Sequence, residues 1–287
     1  MIALPLIGFF VFTIYPILWT FKWSLFSYNQ IPSATKFIGF DNFVKMFTTD
    51  FTYWKMWGNT LLFAFCKIPL EITIAMILAL ALNNKLPLRG FFRSMYYLPC
   101  VVSVAVIGLV FSNLFSYYGV INSLLMKFGI ISKEIEWFSN QSSAMTVLVL
   151  TSTWATFGTN VMYLLAALTN VSEDVYEAAA IDGAGAFTKF FKVTLPMIAP
   201  VFKTILLLSI IGTLSANDLV LTLTGGAPGG KTFTVMSYLT KQFVPGFVES
   251  AEPALGYGCA MSVVTTILYS FIAYMYNMFS RKMDQIG

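Results

Sequence analysis

"NVSEDVYEAAAIDGAGAFTKFFKVTLPMIAP", Asn170 to Pro200, separates two apolar runs, and its reading decides how those runs are arranged. Ser172 predicts a helix N-cap, because its hydroxyl can accept from the free amide hydrogens of a first turn. Glu173 and Asp174 then complement the positive end of the helix dipole. Ala178, Ala179 and Ala180 extend that helix with strong helix formers and a face of small side chains. Gly183 and Gly185 release the backbone, and Pro196 is expected to stop a second helix. In that second piece Phe187, Phe190, Phe191 and Leu195 recur at helical spacing as an apolar stripe, with Lys189 and Lys192 facing away. A solvated loop needs neither the alanine face nor the aromatics. Exposed apolar patches of this kind mark a protein contact, and a surface-lying amphipathic helix that merely caps a bundle is the alternative.

Outward from this segment the chain is apolar. Of its 287 residues 57% are hydrophobic and 10% charged, against about 25% charged in a soluble domain. So few polar side chains cannot cover a water-facing surface, and an all-α integral membrane protein is expected, one transmembrane domain over residues 1–287 with the 170–200 loop inside it. About 20 mostly apolar residues cross the hydrocarbon core, and irregular backbone cannot satisfy its hydrogen bonds there. Six stretches qualify: Ile2 to Phe26, Trp57 to Leu82, Met95 to Phe115, Ala144 to Leu168, Val201 to Leu223 and Leu255 to Phe279. The first has no basic leading segment and no small-residue cleavage site, so it reads as a retained span.

Basic residues set the orientation. Lys85, Arg89 and Arg93 occupy the short connection after the second span, and Arg281 and Lys282 follow the sixth. With an even number of spans both termini are then cytoplasmic, and so is the 170–200 loop. The lysines at 36, 45, 55, 127, 133, 231 and 241 would lie outside and weaken the bias summed over whole loops. The net charge of +4 is small and scattered, which gives no footprint for nucleic acid. The absence of histidine removes His-ligated metal sites and Ser-His or Cys-His nucleophiles. Cys66, Cys100 and Cys259 sit far apart in apolar runs, so no metal, cofactor or disulfide framework is expected.

One motif points elsewhere. "GGAPGGKT", Gly225 to Thr232, matches the phosphate-cradling pattern G-x-x-x-x-G-K-[ST] and follows the strand-like run Leu219 to Thr224. On the topology above it lies outside the membrane, away from ATP, with no separate Asp-ending strand to position magnesium. A glycine-rich turn by which the chain leaves the membrane is the preferred reading, and the run before it is the end of the fifth span.

"EAAAIDGAGAFTKFFKVTLP" resembles the EAA signature of permease subunits of binding-protein-dependent ABC importers, with Glu177, Ala178, Ala179, Asp182, Gly183, Leu195 and Pro196 at the family's positions. The resemblance continues in "FIGFDNFVKMF" (Phe37 to Phe47), "RGFFRSMYYLP" (Arg89 to Pro99), "GVINSLL" (Gly119 to Leu125) and "LTLTGGAPGGKT", which are similar to the carbohydrate-uptake branch with its maltose and glycerol-phosphate permeases. It implies the type I importer permease fold in the bacterial cytoplasmic membrane, a non-catalytic subunit, and a coupling helix that enters a cleft in a separate ATPase. The implied partners are a second permease subunit, two ATP-binding subunits, an extracytoplasmic solute-binding protein, membrane lipid and a sugar or polyol. By position, Glu177 would pair with a basic group on the ATPase, Ala178 and Ala179 would permit close approach, and Gly183 would make the bend. The chain departs from the family in opening directly in apolar residues, which suggests a shortened start. It departs again in carrying Asn217-Asp218 where the family tends to have Phe-Asp, and Ala227 between Gly226 and Pro228.

Polar groups inside spans are costly and turn toward protein or a water-filled path. Lys67 and Glu71 lie one helical turn apart, a spacing that predicts a pair. Trp154, Thr156, Thr159, Asn160 and Tyr163 in the fourth span, Ser209, Thr213, Asn217 and Asp218 in the fifth, and Tyr257, Ser262, Thr265 and Thr266 in the sixth mix aromatic planes with neutral hydrogen-bonding groups. A sugar, with hydroxyls around an apolar ring face, requires that mixture. Trp154, Asn160, Tyr163, Asn217, Asp218 and Tyr257 are the candidate substrate path, with Ser, Thr and Asn bridging between packed helices as the alternative for each. The competing function is an ion-coupled secondary transporter working without an ATPase, for which the buried ionisable candidates are Lys67, Glu71 and Asp218 and no internal repeat is evident.

Overall fold

The structure, a computed structural model, describes residues 3–29, 35–84, 87–244 and 254–284. Lys85 and the side chain of Lys282, two of the residues behind the expected orientation, lie outside the described residues. In chain order the helices are α1 (Ala3–Ser24), α2 (Asp41–Thr48), α3 (Phe51–Asn83), α4 (Arg89–Val101), α5 (Val104–Leu114), α6 (Val120–Lys127), α7 (Gln141–Thr169), α8 (Glu173–Ile181), α9 (Ala186–Leu214), α10 (Asp218–Leu223), α11 (Val235–Phe243) and α12 (Leu255–Asp284). A two-residue antiparallel ladder pairs β1 (Phe26–Ser27) with β2 (Lys36–Phe37).

Among the described residues four helices are long and apolar enough to cross a membrane: α1, α3, α9 and α12 over Leu255–Arg281. This corrects the expected six. The third expected span, Met95 to Phe115, is broken into α4 and α5, which meet at 94°. Val102 and Ser103 between them take extended backbone, with ψ of 140° and 130°, so the helical ladder stops and restarts. The fourth expected span lies in α7, whose 29 residues are long enough, but whose serines, threonines and Asn160 lower its hydropathy. The fifth expected span ends early, at Leu214. Ser215, Ala216 and Asn217 interrupt it, and α10 starts afresh at Asp218. Serine and asparagine side chains compete for backbone hydrogen bonds and favour such breaks.

Pro196 does not stop the helix it was expected to end. α9 runs through it because the turn just before, Phe190–Thr194, is a π turn in which the Leu195 amide reaches back to the Phe190 carbonyl. Proline clashes with the carbonyl four residues earlier, and a widened turn moves that carbonyl aside. The same device recurs in α1, where the π turn Phe10–Ile14 precedes Pro16.

Contacts divide the chain into two compact units, residues 1–60 with 233–287, and residues 61–232. In the first, α12 lies so close to the chain after α1 that a side chain at Gly256 would strike the Phe26 carbonyl, and the Gly256 amide donates to the Tyr28 carbonyl at 3.0 Å. Asn42 donates to the Ser24 carbonyl at 2.8 Å, and the Tyr53 and Thr265 hydroxyls share a 3.0 Å bond. In the second unit, Ala75, Ala79 and Leu82 of α3 pack with Val161, Leu164 and Leu168 of α7 and Ile198 and Ile205 of α9. Gly158 lets α7 approach the Tyr96 backbone of α4 so closely that any β-carbon would collide with its carbonyl.

Candidate functional site: a buried polar cluster and an exposed helical hairpin

Within the second unit, α3, α7 and α9 each turn polar groups toward one point. Lys67 Nζ meets Glu71 Oε2 at 2.8 Å, as the spacing predicts, and also donates to Thr213 Oγ1 at 3.1 Å. Glu71 Oε1 accepts from Thr156 Oγ1 at 2.7 Å and from Asn160 Nδ2 at 3.0 Å. Asn160 also donates to Ser209 Oγ at 3.1 Å. Lys67, Glu71, Asn160, Ser209 and Thr213 are buried. A buried carboxylate is tolerable only when paired and hydrogen-bonded, and Glu71 has a cation and two neutral donors. Its role as the hub is what sequence reading missed. The one-turn spacing gave the Lys67 partner, while nothing local marks partners 85 and 89 residues away.

This cluster forms a wall of a cavity of about 460 Å³ that also takes in Thr159, Tyr163, Asn217 and Asp218. Asp218, exposed, opens α10, and the Asn217 side-chain amide donates to its carboxylate at 3.0 Å. Of the six candidates for a substrate path, Asn160, Tyr163, Asn217 and Asp218 are thus brought together. Trp154 instead packs its ring against Phe111 of α5, 5.1 Å between centroids. Tyr257 belongs to the first unit, where its hydroxyl donates to Asp50 at 2.6 Å.

The 170–200 segment forms its first helix as expected. The Ser172 hydroxyl accepts from the Asp174 amide at 3.2 Å, and α8 ends at a Gly183 whose φ of +76° only glycine adopts freely. α8 buries none of its residues, and Ile181 is 87% exposed. Glu177, Ala178, Asp182 and Gly183 are exposed, and Ala179 is half-buried. The stripe on the second helix faces partly inward: Phe190 and Leu195 pack on the α3–α7–α9 core, while Phe187 stays 82% exposed. Pro196 is exposed. Tyr176 fixes the hairpin by accepting a 3.2 Å bond from Thr194.

The Gly225–Thr232 loop folds on itself. Thr232, which would hold magnesium in a nucleotide site, is buried; its hydroxyl donates to the Ala227 carbonyl at 2.8 Å and lies 2.9 Å from Thr224 Oγ1. Gly225, Gly226, Gly229 and Gly230 all have positive φ. The next helix begins only at Val235, capped by Thr234, so no helix N-terminus receives a phosphate at Lys231.

Apolar helices around a cavity with polar groups in its wall, joined to a helix that buries none of its residues, define a polytopic membrane transport subunit. The chain belongs to the family described as the inner membrane component of binding-protein-dependent transport systems, which it matches over residues 71–285. It is similar to the lactose transport system permease protein LacF of Rhizobium radiobacter, 35% identical, with 92% of this chain and 87% of that protein covered. The arabinooligosaccharides permease AraP of Bacillus subtilis (strain 168) is 33% identical, covering 91% and 81%. The trehalose/maltose permease MalF of Thermococcus litoralis is 30% identical, covering 90% and 84%. The fold is that of a chain in the crystal structure of a bacterial ABC transporter that imports the acidic polysaccharide alginate, with a TM-score of 0.84 at 20% identity over 98% of this chain and 94% of that one. It is also like a chain of the alginate transporter in complex with an alginate pentasaccharide-bound periplasmic protein, with a TM-score of 0.80 at 21% identity.

Proposed function

We propose that this chain is one permease subunit of an ATP-driven importer that carries a sugar or polyol, delivered by an extracytoplasmic binding protein, across the bacterial cytoplasmic membrane. It spans the membrane several times as a single domain, with both termini and the α8 hairpin in the cytoplasm. It pairs with a second permease subunit and two ATP-binding subunits, on which hydrolysis occurs. The sugar permeases among its relatives support the substrate class. The observation that carries the coupling role is the continuity of α9, one 29-residue helix that starts in the hairpin and ends among the polar side chains of the cavity. α8 would dock on the ATPase through Glu177, Ala178, Ala179, Asp182 and Gly183. Leu195 and Pro196 would fix where the second helix leaves the hairpin, and Asn160, Tyr163, Asn217 and Asp218 would line the path.

The test is Gly183→Asp. A β-carbon there meets nothing of this chain, and Asp tolerates left-handed backbone better than most residues, so the fold is expected to hold. The added bulk and charge would hold the two docking surfaces apart. In the complete importer reconstituted with its binding protein, ATP hydrolysis is expected to continue while uptake falls at least tenfold. Uptake at the wild-type rate overturns the assignment.

A further inference from the structure

We infer that the α3–α7–α9 cavity is built for an uncharged saccharide and works against acidic ones. The inference rests on the permease reading above and deepens it. Among the described residues lining the cavity, the charged groups are Lys67, Glu71 and Asp218. Lys67 is consumed: it is buried, its charge is matched by Glu71 at 2.8 Å, and a further proton goes to Thr213 at 3.1 Å. Glu71 is equally committed, with its two oxygens accepting from Lys67, Thr156 and Asn160. A sugar carboxylate therefore finds no free cation to replace its water. What remains is Asp218, met by the neutral Asn217 amide at 3.0 Å and exposed. The cavity carries one uncompensated negative charge, with the rest of its polar lining hydroxyls and amides. Such a lining bonds a neutral polyol at no charge-desolvation cost and repels an anion. The likeness in fold to an importer of an acidic polysaccharide, at 20% identity, carries no information on charge, because charge is set by side chains.

The test reads the cavity's charge directly in the complete complex. Tyr163→Cys is introduced with the exposed Cys66 replaced by serine, and the chain lacking Tyr163→Cys serves as background. Modification rates are measured at low ionic strength with two methanethiosulfonate reagents of similar size, the cationic trimethylammonioethyl and the anionic sulfonatoethyl forms, each divided by its rate with a free thiol in solution. A single charge in the wall of the same cavity favours the cation over the anion by roughly several-fold. That ratio is expected in the Tyr163→Cys chain and should fall to near one when Asp218→Asn is added. A ratio at or below one, or one that Asp218→Asn leaves unchanged, overturns the inference.

A second arm measures uptake into proteoliposomes of a neutral disaccharide and of its uronic-acid counterpart. Faster entry of the neutral sugar supports the inference, and equal entry overturns it while leaving the sugar-permease reading intact. ATP-linked uptake of a non-carbohydrate solute, with neither sugar entering, overturns the permease reading for sugars.

Discussion

Breaking the Lys67–Glu71 pair from either side should cost unequal amounts. At 2.8 Å and an effective dielectric near 20, the gross attraction is about 6 kcal/mol. Desolvating two buried charges offsets most of it, so the net contribution of the intact pair is small, while removing one partner strands the other at a cost of about 3–5 kcal/mol. The geometry sets where in that range each variant falls. Lys67→Met leaves Glu71 with the donors Thr156 and Asn160, which places it near the low end, at about 3 kcal/mol. Glu71→Leu strands the Lys67 ammonium with only Thr213, which places it at about 5 kcal/mol. In the double variant no charge is stranded, Thr156 keeps the Ser152 carbonyl and Asn160 keeps Ser209. Its cost should therefore fall short of the sum of the singles by about 2 kcal/mol or more. The assay is thermal unfolding of the purified complex followed by tryptophan fluorescence, where about 3 kcal/mol corresponds to a midpoint lowered by roughly 6–12 °C. Single variants whose effects add, or a Lys67→Met midpoint within about 1 °C of wild type, would refute the reasoning, since neither fits a charge left without its partner.

Two further outcomes follow from the same geometry. Gly158→Leu should destabilise the second unit by more than the usual overpacking cost of about 1–3 kcal/mol, because the obstacle is the Tyr96 backbone rather than a movable side chain; the thermal midpoint checks it, and Gly158→Ala should already lower it. Lys231→Met should leave both ATP hydrolysis and uptake unchanged, since Lys231 is exposed on a loop closed by Thr232 and Thr224. A tenfold loss of hydrolysis would reinstate that loop as a nucleotide site.

Features written in a few neighbouring residues were legible. Ser172 caps α8, Gly183 takes left-handed backbone and Lys67 meets Glu71, because each depends on atoms within one or two helical turns. The long apolar runs gave α1, α3 and α12 for the same reason. Reading failed where continuity depended on backbone detail. Pro196 looked like a stop because a regular α-helix cannot hold the carbonyl four residues before it, yet a single π turn at Phe190–Thr194 resolves the conflict. The Met95–Phe115 run looked continuous because hydropathy is blind to the extended residues Val102 and Ser103. The cavity was half legible. Thr156, Asn160, Ser209 and Thr213 stood out as polar groups in apolar runs, but convergence on one carboxylate is decided by how α3, α7 and α9 pack, with 146 residues separating Lys67 from Thr213.

The continuity of α9 gives the corrected proline a mechanical meaning on the proposed coupling role. A 29-residue helix is about 44 Å long, enough to carry a displacement from the hairpin across the hydrocarbon core with no loop in which to dissipate it. Had Pro196 ended the helix, a movement at Ala186 would have reached Ser209 and Thr213 only through a flexible joint. The π turn instead keeps the ladder closed while widening it, and Pro200 four residues beyond Pro196 removes another amide from the same side of the chain. On that role, bending would be concentrated in residues 190–200, where the helix leaves the hairpin, and the segment from Val201 to Leu214 would move as a rod. That rod carries Ser209 and Thr213, which hold Asn160 and Lys67. A tilt of α9 must therefore stretch these two hydrogen bonds or draw α3 and α7 along with it. On the proposed coupling role, the cluster would be the point at which motion of α9 is felt by the other walls of the cavity.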